Sequence, residues 1–433
     1  MSTFNRRGFI RTGSAALASV AIFPSASWRN IRNGKLRTAH IGVGGMGKDD
    51  LASIASHPMV EVTALCDVDR KALDAALKSY PKAKGFADYR KLFDSIGKNI
   101  DAVIVSTPDH THAPASLLAM EWNKPVYCQK PLTHHVSEAR RVRSMAEEKN
   151  LVTQMGIQIH SFKEYRSAVM LIQQGLIGKV HTVRAWSPKN WGYDGAAPSG
   201  SDPVPSHLDW NLWLGTAGSR PYKDKYYHPG NWRKLLDFGC GTLGDMGVHI
   251  FDTPYTALDL DVPSTIQTNC RKPTGFGHPE HNVVTYEFKG TDYTTDTLKW
   301  VWYDGPGAPP AHPELVLPDG EQLPEQGSIF IGEKGRLLVP HWTFPKLIVE
   351  GRYEPVTMPD LPDADHYHQF VDAAMGKDKT SAPFSYAARL TEAILLGVVA
   401  NRFPDTKLNW NNGTQLFEQA DANQYLHSEY RRF

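Results

Sequence analysis

With 433 residues, 41% of them hydrophobic and 21% charged, the chain is long enough to divide into two domains and has the composition of a folded globular protein. Its 47 Lys and Arg nearly cancel its 46 Asp and Glu, so no net positive field draws it to nucleic acid or an anionic membrane surface. A small neutral partner fits better.

The first segment reads as a targeting sequence. Asn5-Arg6-Arg7-Gly8-Phe9-Ile10-Arg11 precedes an apolar, small-residue run over 15–23 and then Pro24-Ser25-Ala26-Ser27, the arrangement of a twin-arginine signal. The run is shorter than the about 20 residues needed to span a bilayer. Residues 1–33 are therefore expected to be a signal peptide and linker, the twin-arginine machinery a partner, and the mature protein soluble and periplasmic or otherwise exported. That route carries folded cargo, so a cofactor made in the cytoplasm can leave already bound. Cys66, Cys128, Cys240 and Cys270 show neither C-x-x-C nor zinc-type spacing and are expected to be free thiols.

Residues 34–160 alternate short apolar runs with helix-like stretches, the pattern of an α/β, doubly wound parallel sheet. Strands are expected at 38–43, 60–66, 102–106, 126–129 and 152–157, with helices at 71–78, 113–123 and 136–149. Gly42-Val43-Gly44-Gly45-Met46-Gly47 follows the first strand and precedes a helix that includes Asp49 to Ile54, the context of a Rossmann dinucleotide turn. Gly42 permits the turn, Gly44 lets backbone approach a pyrophosphate, and Gly47 lets helix and strand pack closely. Asp67 ends the next strand, where its carboxylate suits a ribose diol and repels a 2′-phosphate; NAD is expected, and Arg70 leaves NADP open.

At Ser106-Thr107-Pro108-Asp109-His110-Thr111-His112 and Tyr127-Cys128-Gln129-Lys130-Pro131-Leu132 the chain resembles the Gfo/Idh/MocA family (glucose-fructose oxidoreductase, inositol dehydrogenase, rhizopine catabolism). The family motif reads Glu-Lys-Pro where this chain has Gln129-Lys130-Pro131, so the resemblance carries over Lys130 but not position 129. It implies that Gly42, Gly44, Gly45, Met46, Gly47, Asp67, Thr107, Pro108, His112 and Lys130 bind the cofactor. A second run, Gly239-Cys240-Gly241-Thr242-Leu243-Gly244-Asp245-Met246-Gly247-Val248-His249, is similar to the family's glycine-rich turn and Asp-x-x-x-His helix start. Its spacing puts Asp245 and His249 on one helical face. The resemblance implies Lys130, Asp245 and His249 as the catalytic set. His249 is the base for a sugar hydroxyl, Asp245 binds substrate or orients the histidine, and Lys130 stabilises the developing oxyanion.

From residue 161 to 433 a substrate-binding α+β domain is expected. Strand-like runs at 181–186, 265–271, 282–288, 297–303 and 328–331 suggest an open, mostly antiparallel sheet, and a helix at 386–402 should pack back on the first domain. The segment between Trp186 and Trp232 is dense in aromatics, including Trp191, Tyr193, Trp210, Trp213, Tyr222, Tyr226 and Tyr227. Such rings suit the apolar faces of sugars, or they are core or an oligomer contact made by the sheet's open face. Trp191, Tyr193, Trp232 and His366 are the expected substrate contacts. His278 with His281, and His366 with His368 beside Asp365, lack zinc spacing, and no metal is expected. Three functions follow: an exported NAD(P)-dependent oxidoreductase of a carbohydrate or polyol hydroxyl with tightly bound cofactor, redox-neutral glycoside cleavage through a 3-keto intermediate, or a non-catalytic sugar-binding protein. The family further implies a homo-oligomer.

Overall fold

The computed structural model describes residues 34–433; the twin-arginine motif and the apolar run after it lie outside the described residues. Six parallel strands come first: β1 (Leu36–Ile41), β2 (Val60–Cys66), β3 (Lys84–Phe86), β4 (Ala102–Val105), β5 (Val126–Gln129) and β6 (Thr153–Gly156), in the order β3-β2-β1-β4-β5-β6. They are connected through α1 (Met46–Ala55), α2 (Arg70–Ser79), α3 (Tyr89–Ile96), α4 (Asp109–Glu121) and α5 (Val136–Glu148). β4, β5 and β6 are buried at every position, because helices cover both faces of a parallel sheet. Strand order reverses between β1 and β4, which opens a crevice beyond their carboxyl ends. β3 was not expected: it is three residues long, and Lys84 and Gly85 are exposed, so it carries no apolar run.

Gly42 has φ +83, and a Cβ there would lie 2.6 Å from the carbonyl oxygen of Ser106, just past β4. At Gly47 a Cβ would overlap the Gly42 carbonyl oxygen. Turn, helix and strand meet here only because both residues lack side chains.

α6 (Lys163–Gln173) leads into a second sheet, with β7 (Val180–Ser187), β8 (Thr265–Asn269), β9 (Asn282–Lys289), β10 (Thr294–Asp304), β11 (Gly327–Gly332), β12 (Gly335–Pro340), β13 (Lys346–Val349), β14 (Arg352–Glu354), β15 (Lys407–Asn411) and β16 (Leu416–Phe417). The order is β14-β13-β12-β11-β7-β10-β9-β8-β15-β16, and only β7 and β10 run parallel among the described pairs. Also in this half are α7 (Trp210–Leu214), α8 (Val248–Ala257), α9 (His366–Ala374) and α10 (Phe384–Ala400). One sheet face packs on α8, where Phe251 stacks on Trp300 at 3.9 Å. Around β7 and β11 the other face is covered by Leu315 and Leu317. β9 alternates buried and half-exposed residues, as a strand with one solvated face does.

α10 docks on the first domain as expected, and so does α9. Glu392 pairs with Arg140 of α5 at 2.8 Å, the Phe384 amide donates to Thr153 Oγ1 at 2.9 Å, and Phe370 and Val371 pack with Ile54, Ile104 and Tyr127. The four cysteines are free, three of them buried. Among the described residues no helix is long and apolar enough to cross a membrane.

Replacing Gly by Ala inside a helix ordinarily stabilises by about 1 kcal/mol. At Gly47 the new methyl meets backbone that cannot move aside, and overpacking costs about 1–3 kcal/mol. Gly47→Ala is expected to lower stability, read as a lower urea midpoint; a raised midpoint contradicts this account of the turn.

Candidate active site

A cleft of about 1150 Å³ lies between the two domains, bordered at one end by Gly44, Gly45, Met46 and Asp67 and elsewhere by Lys130, Asp245 and His249. α1 begins at the cleft with no side-chain cap, leaving its positive dipole end available for a pyrophosphate. Asp67 Oδ2 accepts from the Val43 amide and Oδ1 from the Asp69 amide, both at 2.9 Å. Each oxygen keeps a lone pair for a ribose hydroxyl. Burial pushes the Asp67 pKa up, opposed by these two N–H groups. Arg70 points to solvent and pairs with Asp74, while Asp69 borders the cleft, so a 2′-phosphate would face two carboxylates there, with no Lys or Arg beside them among the described residues that line this end. These features fit NAD. Thr107 and Pro108 line the cleft as expected. His112 also lines it, and its ring spans the carbonyls of Thr107 and Pro131 at 2.7 Å each, tying the turn after β4 to the turn after Lys130. Gly47 packs behind the cleft.

The aromatic segment occupies the nucleotide end. Leu208 bridges Asp69, the Arg70 amide donates to the His207 carbonyl at 2.7 Å, and the Asp209 amide to the Val68 carbonyl at 3.0 Å. His207 Nδ1 and His228 Nε2 both reach Asp69, at 2.9 and 3.0 Å. Leu212, Trp213, His228 and Trp232 then border the cleft that Asp67 enters from the other side. The segment has its own core, with Trp210 stacked on Trp213 at 4.8 Å and Tyr222, Tyr227 and Phe238 around them.

At the other end Lys130, which follows β5, donates to the Asp245 carbonyl at 2.9 Å and to its Oδ1 at 2.8 Å. Asp245 Oδ2 accepts from the Trp191 indole at 2.7 Å, and Arg233 lies 3.5 Å from Oδ1. Burial opposes its charge, but Lys130 and Arg233 outweigh burial and hold the carboxyl far below the usual range. Asp245 sits in a π-turn (Leu243–Gly247) and His249 in the first turn of α8, so the expected helical face is made by a π-to-α junction of the kind found at functional sites. No hydrogen bond joins Asp245 to His249 among the described residues. His249 Nδ1 is buried without a partner. Burial, then the charges of Lys130 and His341, push the imidazole well below its ordinary pKa, so it is neutral.

Three expected substrate contacts, Trp191, Tyr193 and His366, are not among the residues that line the cleft. His366 is buried, with Nε2 on the Met155 carbonyl and Nδ1 on Ser161 Oγ, both at 2.8 Å; both ring nitrogens are used in packing α9. Tyr193 bonds Tyr226 at 2.9 Å and packs on Phe276, outside the cleft. Trp191 acts on Asp245. Trp232 does border the cleft, under the Arg233 guanidinium at 4.2 Å. No group of three metal-ligating side chains comes together among the described residues.

Residues missed in the sequence include Lys189, Arg233 and Asp109 in the cleft wall, and Asp50. Burial raises Asp109 to about 7, with Arg233 and Lys130 opposing. Asp50 explains Gln129. Gln129 Nε2 donates to both Asp50 oxygens at 2.9 Å, and Ser106 Oγ and Tyr367 OH donate at 2.6 and 3.1 Å. The carboxylate absent at position 129 is thus supplied one residue deeper. The signal was an acid on the buried face of α1, beside Leu51 and Ile54.

Burial raises Asp50 to about 6 despite its three donors. A carboxyl whose folded pKa exceeds its unfolded value contributes stability below the unfolded pKa and loses it as pH rises through the folded pKa. Gln129→Glu would set a second carboxyl against Asp50, and the pair would have to share a proton. The variant is expected to lose about 1–3 kcal/mol against wild type near pH 8 and much less near pH 5. Equal losses in urea titrations at the two pH values would contradict the Asp50–Gln129 pairing.

The oxidoreductase family with an NAD-binding Rossmann fold matches residues 36–157, and that family's C-terminal alpha/beta domain matches residues 163–293. Inositol 2-dehydrogenase of Salmonella typhimurium is 33% identical over 148 residues, 33% of this chain and 43% of that protein. Levoglucosan dehydrogenase of Pseudarthrobacter phenanthrenivorans is 24% identical over 225 residues, 50% of each. The matches therefore span half or less of these relatives' own length. Among solved structures, the WlbA dehydrogenase of Bordetella pertussis, in complex with NADH and UDP-GlcNAcA, superposes with a TM-score of 0.62 at 16% identity, over 87% of this chain and 99% of that one. At that identity the likeness is one of fold. The two family domains adjoin and together span more than half of the chain, so the protein belongs to the Gfo/Idh/MocA oxidoreductase family and carries its NAD-binding Rossmann domain followed by its C-terminal alpha/beta domain.

Proposed function

We propose that the protein is an NAD-dependent oxidoreductase acting on a carbohydrate or polyol hydroxyl, with its cofactor tightly held. The observation that carries this reading is that Lys130, clamped by Asp245, and His249 line the same cleft as the 42–47 turn and Asp67. When bound, NAD supplies the hydride acceptor. A lysine has three N–H donors, and Asp245 takes two from Lys130, which leaves the third to bind the reacting oxygen and stabilise negative charge on it. Asp245 stays ionised and keeps Lys130 aimed. With Nδ1 buried, His249 meets substrate through Nε2, and a neutral ring protonated at Nδ1 has the lone pair there to take the hydroxyl proton. The inositol and levoglucosan dehydrogenases among the relatives support a polyol or sugar substrate.

The aromatic segment, fastened to Val68, Asp69 and Arg70 over the nucleotide end, supports slow release of NAD. A retained cofactor suits the twin-arginine reading of residues 1–33, in which the protein folds and loads before export to the periplasm. Self-association through the half-exposed face of β9 is part of the same reading.

Lys130→Met and His249→Asn are each expected to lower kcat by about 10²–10⁴ while changing NAD affinity far less. Because burial keeps His249 unprotonated, the acid limb of the kcat/KM profile is expected below the 6.5 of an ordinary histidine. Stopped assays of both variants, with NAD titrations beside them, check this; unchanged turnover in both rules out the assignment.

A further inference from the structure

Trp342 lies just past β12 in the turn closed by the Thr343 amide on the Pro340 carbonyl at 3.4 Å. Its φ is +71, a region that bulky side chains avoid, and it is 63% exposed. Neither property serves packing. Phe162, 38% exposed, stands immediately before α6. Both rings line the cleft, and their neighbours tie the two segments together: the hydroxyl of buried Tyr165 in α6 bonds Nδ1 of the half-buried His341. The His341 amide donates to the Gln326 carbonyl at 2.9 Å, bringing Glu325 and Gln326 to the same end of the cleft.

The position relative to the reacting centre is set by ring spacings. The His249 and His341 rings are 6.3 Å apart, and the His341 and Trp342 rings 5.2 Å. The Trp342 ring therefore neighbours the His341 ring that in turn neighbours the base, and it lines the cleft in which a sugar hydroxyl would meet His249 and Lys130. Resting on the sugar-oxidising reading above, we propose that Trp342 and Phe162 form a subsite for a second pyranose ring. The substrate is then a glycoside of at least two rings, not a free monosaccharide. Flat indole and phenyl faces take the apolar face of a pyranose, and Glu325 and Gln326 offer hydrogen-bond partners to its hydroxyls.

The test compares cellobiose and lactose with glucose and galactose, in wild type and in Trp342→Asn, by reduction of the nicotinamide. Wild type is expected to favour the disaccharides by about tenfold or more in kcat/KM, the scale of one well-made contact. Trp342→Asn is expected to lose most of that preference while its Tm holds or rises, because asparagine accepts the left-handed conformation. Monosaccharides used as well as disaccharides by wild type, a preference that survives in the variant, or a fall in Tm that marks Trp342 as structural would each overturn the subsite. If no sugar reduces the cofactor, the redox reading fails. Cellobiose or lactose quenching of tryptophan fluorescence then decides: quenching in wild type that is lost in Trp342→Asn supports the subsite, and its absence overturns it.

Discussion

Lys130 belongs to the strand-end turns of the first domain and Asp245 to the helix start of the second, and the two are in contact in a largely water-excluded site. A buried charge left without its partner costs about 3–5 kcal/mol, so neither domain can shift without exposing or orphaning one of them. Arg233 and Trp191 converge on the same carboxylate. Three segments, those carrying Lys130, Trp191 and Arg233, are therefore registered on one Asp side chain. α9 and α10 complete the arrangement from outside, docking on α1, α5 and β6. The cleft is the space this registration leaves, and a nucleotide end and a reacting end at fixed separation are what hydride transfer requires.

At the end of the cleft that holds the glycine turn, the aromatic segment forms a wall. Asp67 is oriented by two amides, and the next residues, Val68 to Arg70, are engaged by His207, Leu208 and Asp209. The aromatic segment thus stands on the loop that carries Asp67, stiffened by a core of its own. Opening it means breaking backbone bonds and both histidine contacts to Asp69 together.

Local patterns revealed what local physics determines. The 42–47 turn and Asp67 were legible from the strand, turn and helix spacing, and Lys130, Asp245 and His249 through the family resemblance of the runs around them; the apolar runs located β1, β2 and β4 to β6 to within two residues, while β12 to β16 were not among the runs singled out. β3 had no apolar run to read. Gln129 looked like a loss because its compensation, Asp50, is 79 residues away in sequence and adjacent only in space. The aromatic segment was read as a sugar site, as core or as an oligomer contact; the rings do form a core, and that core borders the nucleotide end, a placement only the tertiary pairing with Val68 to Arg70 determines. His366 and Tyr193 are of types that bind sugars, yet their polar atoms are already taken by Met155, Ser161 and Tyr226. Trp342 stands outside the aromatic-dense segment, and its strained backbone has no sequence signature.

The central claim, that the cleft holds NAD beneath the aromatic segment as a resident cofactor, is tested most directly by denaturing the purified protein without added nucleotide and quantifying the released NAD(H) and NADP(H) by mass spectrometry. NAD(H) close to one per chain and little NADP(H) are expected; protein that releases no nucleotide and also fails to bind added NAD rules out a resident cofactor.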